Sequence, residues 1–149
     1  MSNLSIEGLR ITPLKRIDHE KGHILHVLRN DHPDFFSIGE VYCSSVHKSD
    51  IKGWKKHFFH SVNLTVVCGS IQFYIIDDRN ASKTTYKTCT FDPLLNHARL
   101  TVPPGVWVAF KGLEDLNILI NAMPDCHDPS EQSNISLDSF SFDLFMKCK

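Results

Sequence analysis

Between Ile51 and Arg79 the chain gathers Lys52, Lys55, His57, His60, Asn63, Asp77 and Arg79, side chains from which proton-transfer and anion-binding sites are built. An unperturbed imidazole titrates near pH 6.5, so His57 can take a proton with little tuning. Lys55 precedes it by two residues. In an extended strand both would share one face, and an ammonium beside the base can stabilise an enolate oxygen. Lys55 could itself be the base if burial or the neighbouring cation Lys56 lowered its pKa, but the shift needed is roughly three units, about 4 kcal/mol. The preferred assignment is therefore His57 as base and Lys55 as its partner. Trp54 adds a flat apolar face with one N–H donor that could stack on a ligand.

Such residues need a rigid support, and the surrounding sequence predicts strands. Candidate strands fall at 9–14, 23–28, 38–45, 62–68, 71–77, 84–91, 98–102, 107–111 and 117–121, and Lys55 and His57 are taken to lie along one strand. Turn chemistry separates them at Lys21-Gly22, Asn30-Asp31-His32-Pro33, Cys68-Gly69-Ser70, Asp77-Asp78-Arg79-Asn80 and Pro103-Pro104-Gly105. The runs 62–68 and 71–77 read as a hairpin joined at Gly69-Ser70. By period 2, Phe73, Ile75 and Asp77 share a face, so Asp77 points inward with the other two or else caps the following turn. No segment sustains a helical period, and only the tail 128–145 could hold a short helix. The expected fold is all-β, a jelly-roll barrel with a short C-terminal helix, in one domain spanning residues 1–149.

Composition narrows the partners. Sixteen basic residues against 17 acidic ones leave a net charge of -1, which gives no electrostatic footprint for nucleic acid or an anionic membrane. No apolar run approaches the roughly 20 residues that span a bilayer, and the first residues lack a signal-peptide pattern, so a cytoplasmic protein is expected. The five cysteines, Cys43, Cys68, Cys89, Cys126 and Cys148, are widely spaced and form no Cys-x-x-Cys pair. They read as reduced thiols rather than a disulfide framework or zinc site.

Several blocks resemble the dTDP-4-dehydrorhamnose 3,5-epimerase family of cupins in their order and spacing. They are Lys52-Gly53-Trp54, Val67-Cys68-Gly69-Ser70-Ile71, Asp77-Asp78-Arg79, and Leu100-Thr101-Val102-Pro103-Pro104-Gly105-Val106-Trp107-Val108-Ala109-Phe110; Asp18-His19-Glu20-Lys21-Gly22 resembles its N-terminal turn. The resemblance implies a cupin jelly roll that forms a homodimer, needs no metal or other cofactor, and binds a nucleotide-linked 4-keto sugar in its lumen. A His base, an assisting Lys and a Tyr on the far side of the sugar perform the family's chemistry. Here Lys52 takes the place of the phosphate-binding Arg, and Lys55 that of the catalytic His. Val108 replaces the His of the Pro-x-Gly turn, Ile120 or Asn121 falls near the Tyr, and Val62 or Asn63 near the Lys. The spacing His57-Phe58-Phe59-His60 puts two rings on opposite faces of a regular strand with no Glu following, so no metal centre is expected.

Two functions from different classes follow from this pattern. One is a carbohydrate epimerase or isomerase acting on a nucleotide-linked 4-keto sugar in polysaccharide or deoxysugar biosynthesis, by proton abstraction next to the ketone. Its catalytic residues would be His57 and Lys55, with Lys52, Trp54, His60, Asn63, Asp77 and Arg79 binding substrate. The other is a catalytically inactive cupin that binds a sugar nucleotide or a protein partner.

Overall fold

Strands rich in β-branched and aromatic residues dominate the chain, and their continuous apolar runs mark them as covered on both faces. The computed structural model describes residues 5–32 and 35–146; Pro33, expected to close the turn after His32, and Cys148 lie outside them. In chain order the strands are β1 (Arg10–Pro13), β2 (Arg16–Ile17), β3 (Ile24–Leu25), β4 (Glu40–Ser45), β5 (Ile51–His57), β6 (Val62–Cys68), β7 (Ile71–Asp77), β8 (Thr85–Phe91), β9 (Ala98–Val102), β10 (Trp107–Gly112), β11 (Ile118–Met123) and β12 (Gln132–Asn134). Two five-stranded antiparallel sheets, ordered β1-β9-β6-β11-β4 and β12-β5-β10-β7-β8, lie face to face, and β2 and β3 form a small separate ladder. This is the expected all-β jelly roll.

The expected hairpin of β6 and β7 does not form. Each is an interior strand whose two edges are already paired, β6 with β9 and β11 and β7 with β8 and β10. They therefore belong to opposite sheets, and Gly69-Ser70 is the corner between them. Gly69 has φ 74°, and a Cβ there would lie 2.1 Å from the carbonyl oxygen of Leu116, so the corner requires glycine.

Between the sheets lies a core to which β6, β9 and β11 contribute Leu64, Val66, Leu100 and Leu119, facing Ile71, Phe73, Ile75 and Phe91 from β7 and β8. A second apolar layer covers the outer face of the second sheet, where Trp54, Tyr74, Ile76, Tyr86 and Trp107 meet Phe140, Phe142 and Phe145 of the C-terminal segment. That tail, expected to hold a helix, keeps only one turn, α1 (Asp143–Met146). Its backbone is committed elsewhere, because β12 adds to the edge of β5. Cys43, Cys68, Cys89 and Cys126 are free thiols, and burial pushes Cys89 up to about 12. Among the described residues no helix is long and apolar enough to cross a membrane.

Phe73 is fully buried between the sheets and packs against Phe91 and Phe110. Phe73→Ala should cost about 3–5 kcal/mol, read as the lowered midpoint of urea unfolding.

Candidate functional site

Where β4, β5 and β11 approach one another, most of the residues that line the space are polar, and the two sheets leave a gap. A cavity of about 390 Å³ remains, lined among others by Tyr42, Lys52, Lys55, His57, Phe110 and Asn121. Lys52 and Lys55 are three apart, an odd spacing that would send regular strand side chains to opposite faces. A bulge corrects the phase: Val108 pairs with Lys55 and Phe110 with Lys52, so Ala109 alone opposes Gly53 and Trp54. Gly53 makes this approach possible, since a Cβ at its φ of 142° would lie 2.5 Å from that of Ala109.

Lys52 donates to Ser44 Oγ at 2.9 Å and to the Ser45 carbonyl at 3.2 Å, and its ammonium sits 5.9 Å from the centre of the Phe110 ring. Lys55 is half-buried. Desolvation lowers its pKa most, the charge of Lys52 lowers it further, and the Glu131 carboxylate opposes both. Lys56, expected to be the cation acting on Lys55, instead faces the outer side, 4.2 Å over the Trp107 ring and 3.9 Å from Asp78. Alternation along β5 explains this, because Lys55 and His57 point inward while Trp54 and Lys56 point outward.

His57 is buried, and its Nδ1 lies 2.6 Å from Glu131 Oε2. The other carboxylate oxygen accepts the backbone N–H groups of Phe59 at 3.1 Å and His60 at 3.0 Å. Burial pushes the pKa of Glu131 up, but the hydrogen bonds from His57, Phe59 and His60 and the attraction of His57 outweigh it, and the net shift is downward. An ionised carboxylate is an acceptor only, so it holds the proton of His57 on Nδ1 and leaves Nε2 as the basic nitrogen. Nε2 is buried and has no hydrogen-bond partner among the described residues.

Across the cavity, on the other sheet, stands Tyr42. Asn121 Nδ2 donates to its phenol oxygen at 2.6 Å, which leaves the phenol proton available to a ligand. Burial raises the Tyr42 pKa most, and Glu40 raises it further, against the lowering effect of Asn121. His57 and Tyr42 also line an adjoining cavity of about 270 Å³ with His60, Asp125 and Glu131.

Of the residues that the sequence put forward, Lys52, Lys55 and His57 come together at the main cavity. His60 lies in the adjoining one, 3.2 Å from Asp125. The other four stand elsewhere. Trp54 is fully buried on the outer face, beneath Phe140, Phe142 and Phe145, and has no surface to offer a ligand. Asn63 points away from the cavity, because its neighbours Val62 and Leu64 take the inward positions, and it accepts a bond from Thr101 at 2.8 Å. Asp77 spends both oxygens on the Arg79 guanidinium and one also on the Arg79 backbone N–H; Arg79 in turn donates to the Glu7 carbonyl. Of the two alternatives for Asp77, turn capping is the one realised. Among the described residues no group of three or more His, Cys, Asp or Glu is placed to hold a metal ion.

Sequence reasoning missed Glu131 and Tyr42. Asp128-Pro129-Ser130-Glu131 does carry a legible turn signal, an N-cap Asp with Pro in the first turn, and Asp128 caps Ser130 here. That signal fixes the turn but does not name a partner 74 residues away.

Comparison with known proteins converges on one group. No family model and no curated protein sequence matches the chain. Among solved structures, a dTDP sugar isomerase from Desulfovibrio desulfuricans superposes with TM-score 0.87 and 29% identity, over 93% of this chain and 92% of that one. The chain is similar in fold to dTDP-sugar isomerases and 3,5-epimerases. A dTDP-4-dehydrorhamnose 3,5-epimerase from Bacillus anthracis shares the fold at TM-score 0.76 and 14% identity, covering 91% of this chain and 83% of its own. So does a sugar 3,4-ketoisomerase from Thermoanaerobacterium thermosaccharolyticum in complex with TDP, at TM-score 0.73 and 18% identity, covering 97% and 98%.

The lowered pKa of Glu131 makes a stability prediction with a definite sign. Its interactions contribute fully above the ordinary glutamate value of 4.5 and are lost as pH falls through the lower folded value. Glu131→Gln should therefore be less stable than the parent protein at neutral pH, with the gap narrowing in acid. Urea melts across that range check it, and a gap that widens as pH falls would show that the carboxylate is not held ionised.

Proposed function

We propose that this cupin is an epimerase or isomerase of a nucleotide-linked 4-keto sugar, working in polysaccharide or deoxysugar biosynthesis by proton abstraction next to the ketone. The observation that carries the reading is His57 itself: a buried imidazole backed by an ionised carboxylate, with its basic nitrogen unpartnered at a cavity. The similarity to the Desulfovibrio sugar isomerase over nearly the whole of both chains supports the same class.

The roles follow from placement. His57 Nε2 takes the proton from the carbon beside the ketone, and Glu131 stabilises the imidazolium that forms. Lys55 stabilises the negative charge that develops on the ketone oxygen, where a desolvated ammonium counts for more than one in water. Lys52, already turned into the cavity over Phe110, binds the anionic linkage to the nucleotide. Tyr42 faces His57 from the opposite sheet, so a sugar lying between them meets a base on one side and a phenol on the other. Return of a proton from Tyr42 inverts the carbon, whereas return from His57 to the same or the adjacent carbon gives exchange or migration of the ketone. The same reading expects a cytoplasmic homodimer that works without a cofactor.

Incubation with nucleotide-linked 4-keto-6-deoxy sugars in D2O tests this by NMR. Deuterium should enter at C3 or C5. His57→Asn should lower the exchange rate by about 10²–10⁴-fold, the usual contribution of a positioned general base. Lys55→Ala should cost about 10²–10³-fold, as loss of an oxyanion donor does. Tyr42→Phe should keep exchange and lose inversion. Absence of exchange with every sugar that binds would sink the reading, and a surviving rate in His57→Asn would remove His57 as the base.

A further inference from the structure

Trp54 contributes nothing to the cavity surface, yet it sits three residues before His57 on the same strand and touches almost every part of the segment that carries Glu131. Its backbone exchanges two hydrogen bonds with Ile135, N–H to carbonyl at 3.3 Å and carbonyl from N–H at 3.2 Å. Its indole N–H donates to the Leu137 carbonyl at 3.3 Å. The ring stacks on Phe142 and Phe145, with centroids 5.5 and 6.0 Å away, and takes the edge of Phe140 at 5.4 Å. On the N-terminal side of these anchors, Gln132, Ser133 and Asn134 pair with His57, Lys56 and Lys55, and Glu131 directly precedes them with its carboxylate on His57.

Glu131 thus reaches the base from a strap, residues 128–146, whose apolar attachment lies on the outer face of the sheet while its carboxylate works on the inner one. A carboxylate that orients a His must stay within hydrogen-bond reach, and the three-residue ladder of β12 is short for that task. We infer that Trp54 is a positioning residue for catalysis: by clamping the strap to the back of β5 it holds Glu131 against His57, and so sets the orientation of the base from outside the substrate cavity. The energetic logic is that of burial. A fully covered indole with three aromatic neighbours adds apolar attachment to the backbone bonds of β12 and to the one between the Phe58 N–H and the Glu131 carbonyl.

The inference rests on the proposed proton abstraction for its kinetic consequence but not for its structural one, so two readouts separate them. In 15N-labelled protein the His57 Nδ1–H resonance reports the bond to Glu131 with no substrate present. Glu131→Gln should shift or abolish it, Trp54→Leu should do the same, and Trp54→Phe should largely restore it. In the exchange assay Trp54→Leu should lower kcat by about 10–100-fold, the usual effect of losing a group that orients a first-line residue, with KM nearly unchanged. In the Glu131→Gln background it should cause no further loss, because both changes break one unit.

Phe142→Leu loosens the same strap from a partly buried position, and it is measured alongside so that a failure of Trp54→Leu to fold leaves the test intact. An unchanged Nδ1–H resonance in the folded strap variants, or kinetic losses that add fully to those of Glu131→Gln, would overturn the inference. If the parent protein exchanges no proton with any sugar, the proposed function fails, while the resonance still decides the role of Trp54.

Discussion

The Glu131 carboxylate joins three parts of the molecule at one point. One oxygen binds the imidazole of His57, at the end of β5, and the other gathers the backbone N–H groups of Phe59 and His60 in the loop that follows. A buried carboxylate with fewer partners would be driven toward protonation. With three donors it stays ionised, fixes the tautomer of His57 and ties the C-terminal strap to the barrel mouth. Loss of any one donor leaves a buried charge less well compensated, so strand, loop and strap are coupled through it.

Electrostatic balance in the cavity follows from the same arrangement. Two ammonium groups, Lys52 and Lys55, share a space of a few hundred cubic ångströms, and the positive charge is what an anionic ligand would meet there. Lys52 is steadied by Ser44 and by the Ser45 carbonyl. Lys55 stands half-desolvated, with the Glu131 carboxylate opposing the downward shift of its pKa. The site is therefore poised to gain from binding negative charge.

Much of the fold was legible in the sequence because strand patterns and turn residues are local. The runs 62–68, 71–77 and 98–102 appear with the bounds that their extended composition and flanking turn residues predict. Pairing was less legible. Gly69-Ser70 looks like a hairpin turn, and only the competition for strand edges shows it to be a corner between sheets. The site divides along the same line. Lys55 and His57 share a face because they are two apart on one strand, whereas Lys52 joins them only through the bulge at Gly53, a phase shift that residue spacing does not announce. Trp54, Asn63, Asp77 and Arg79 are the right types of residue in the right stretch of chain, but they face away from the cavity or bind one another.

Residue identity alone therefore determined the class of fold and the presence of a His-Lys pair on one strand. Local chain stiffness and side-chain period dictate these, and they act over a few residues. Tertiary structure decided which carboxylate meets His57, which tyrosine lines the same cavity, and that a tryptophan suited to ligand stacking is instead an anchor on the far side of the sheet. Those depend on contacts between residues up to 83 positions apart, as for Trp54 and Leu137, and no local rule selects one distant partner among many chemically equal ones.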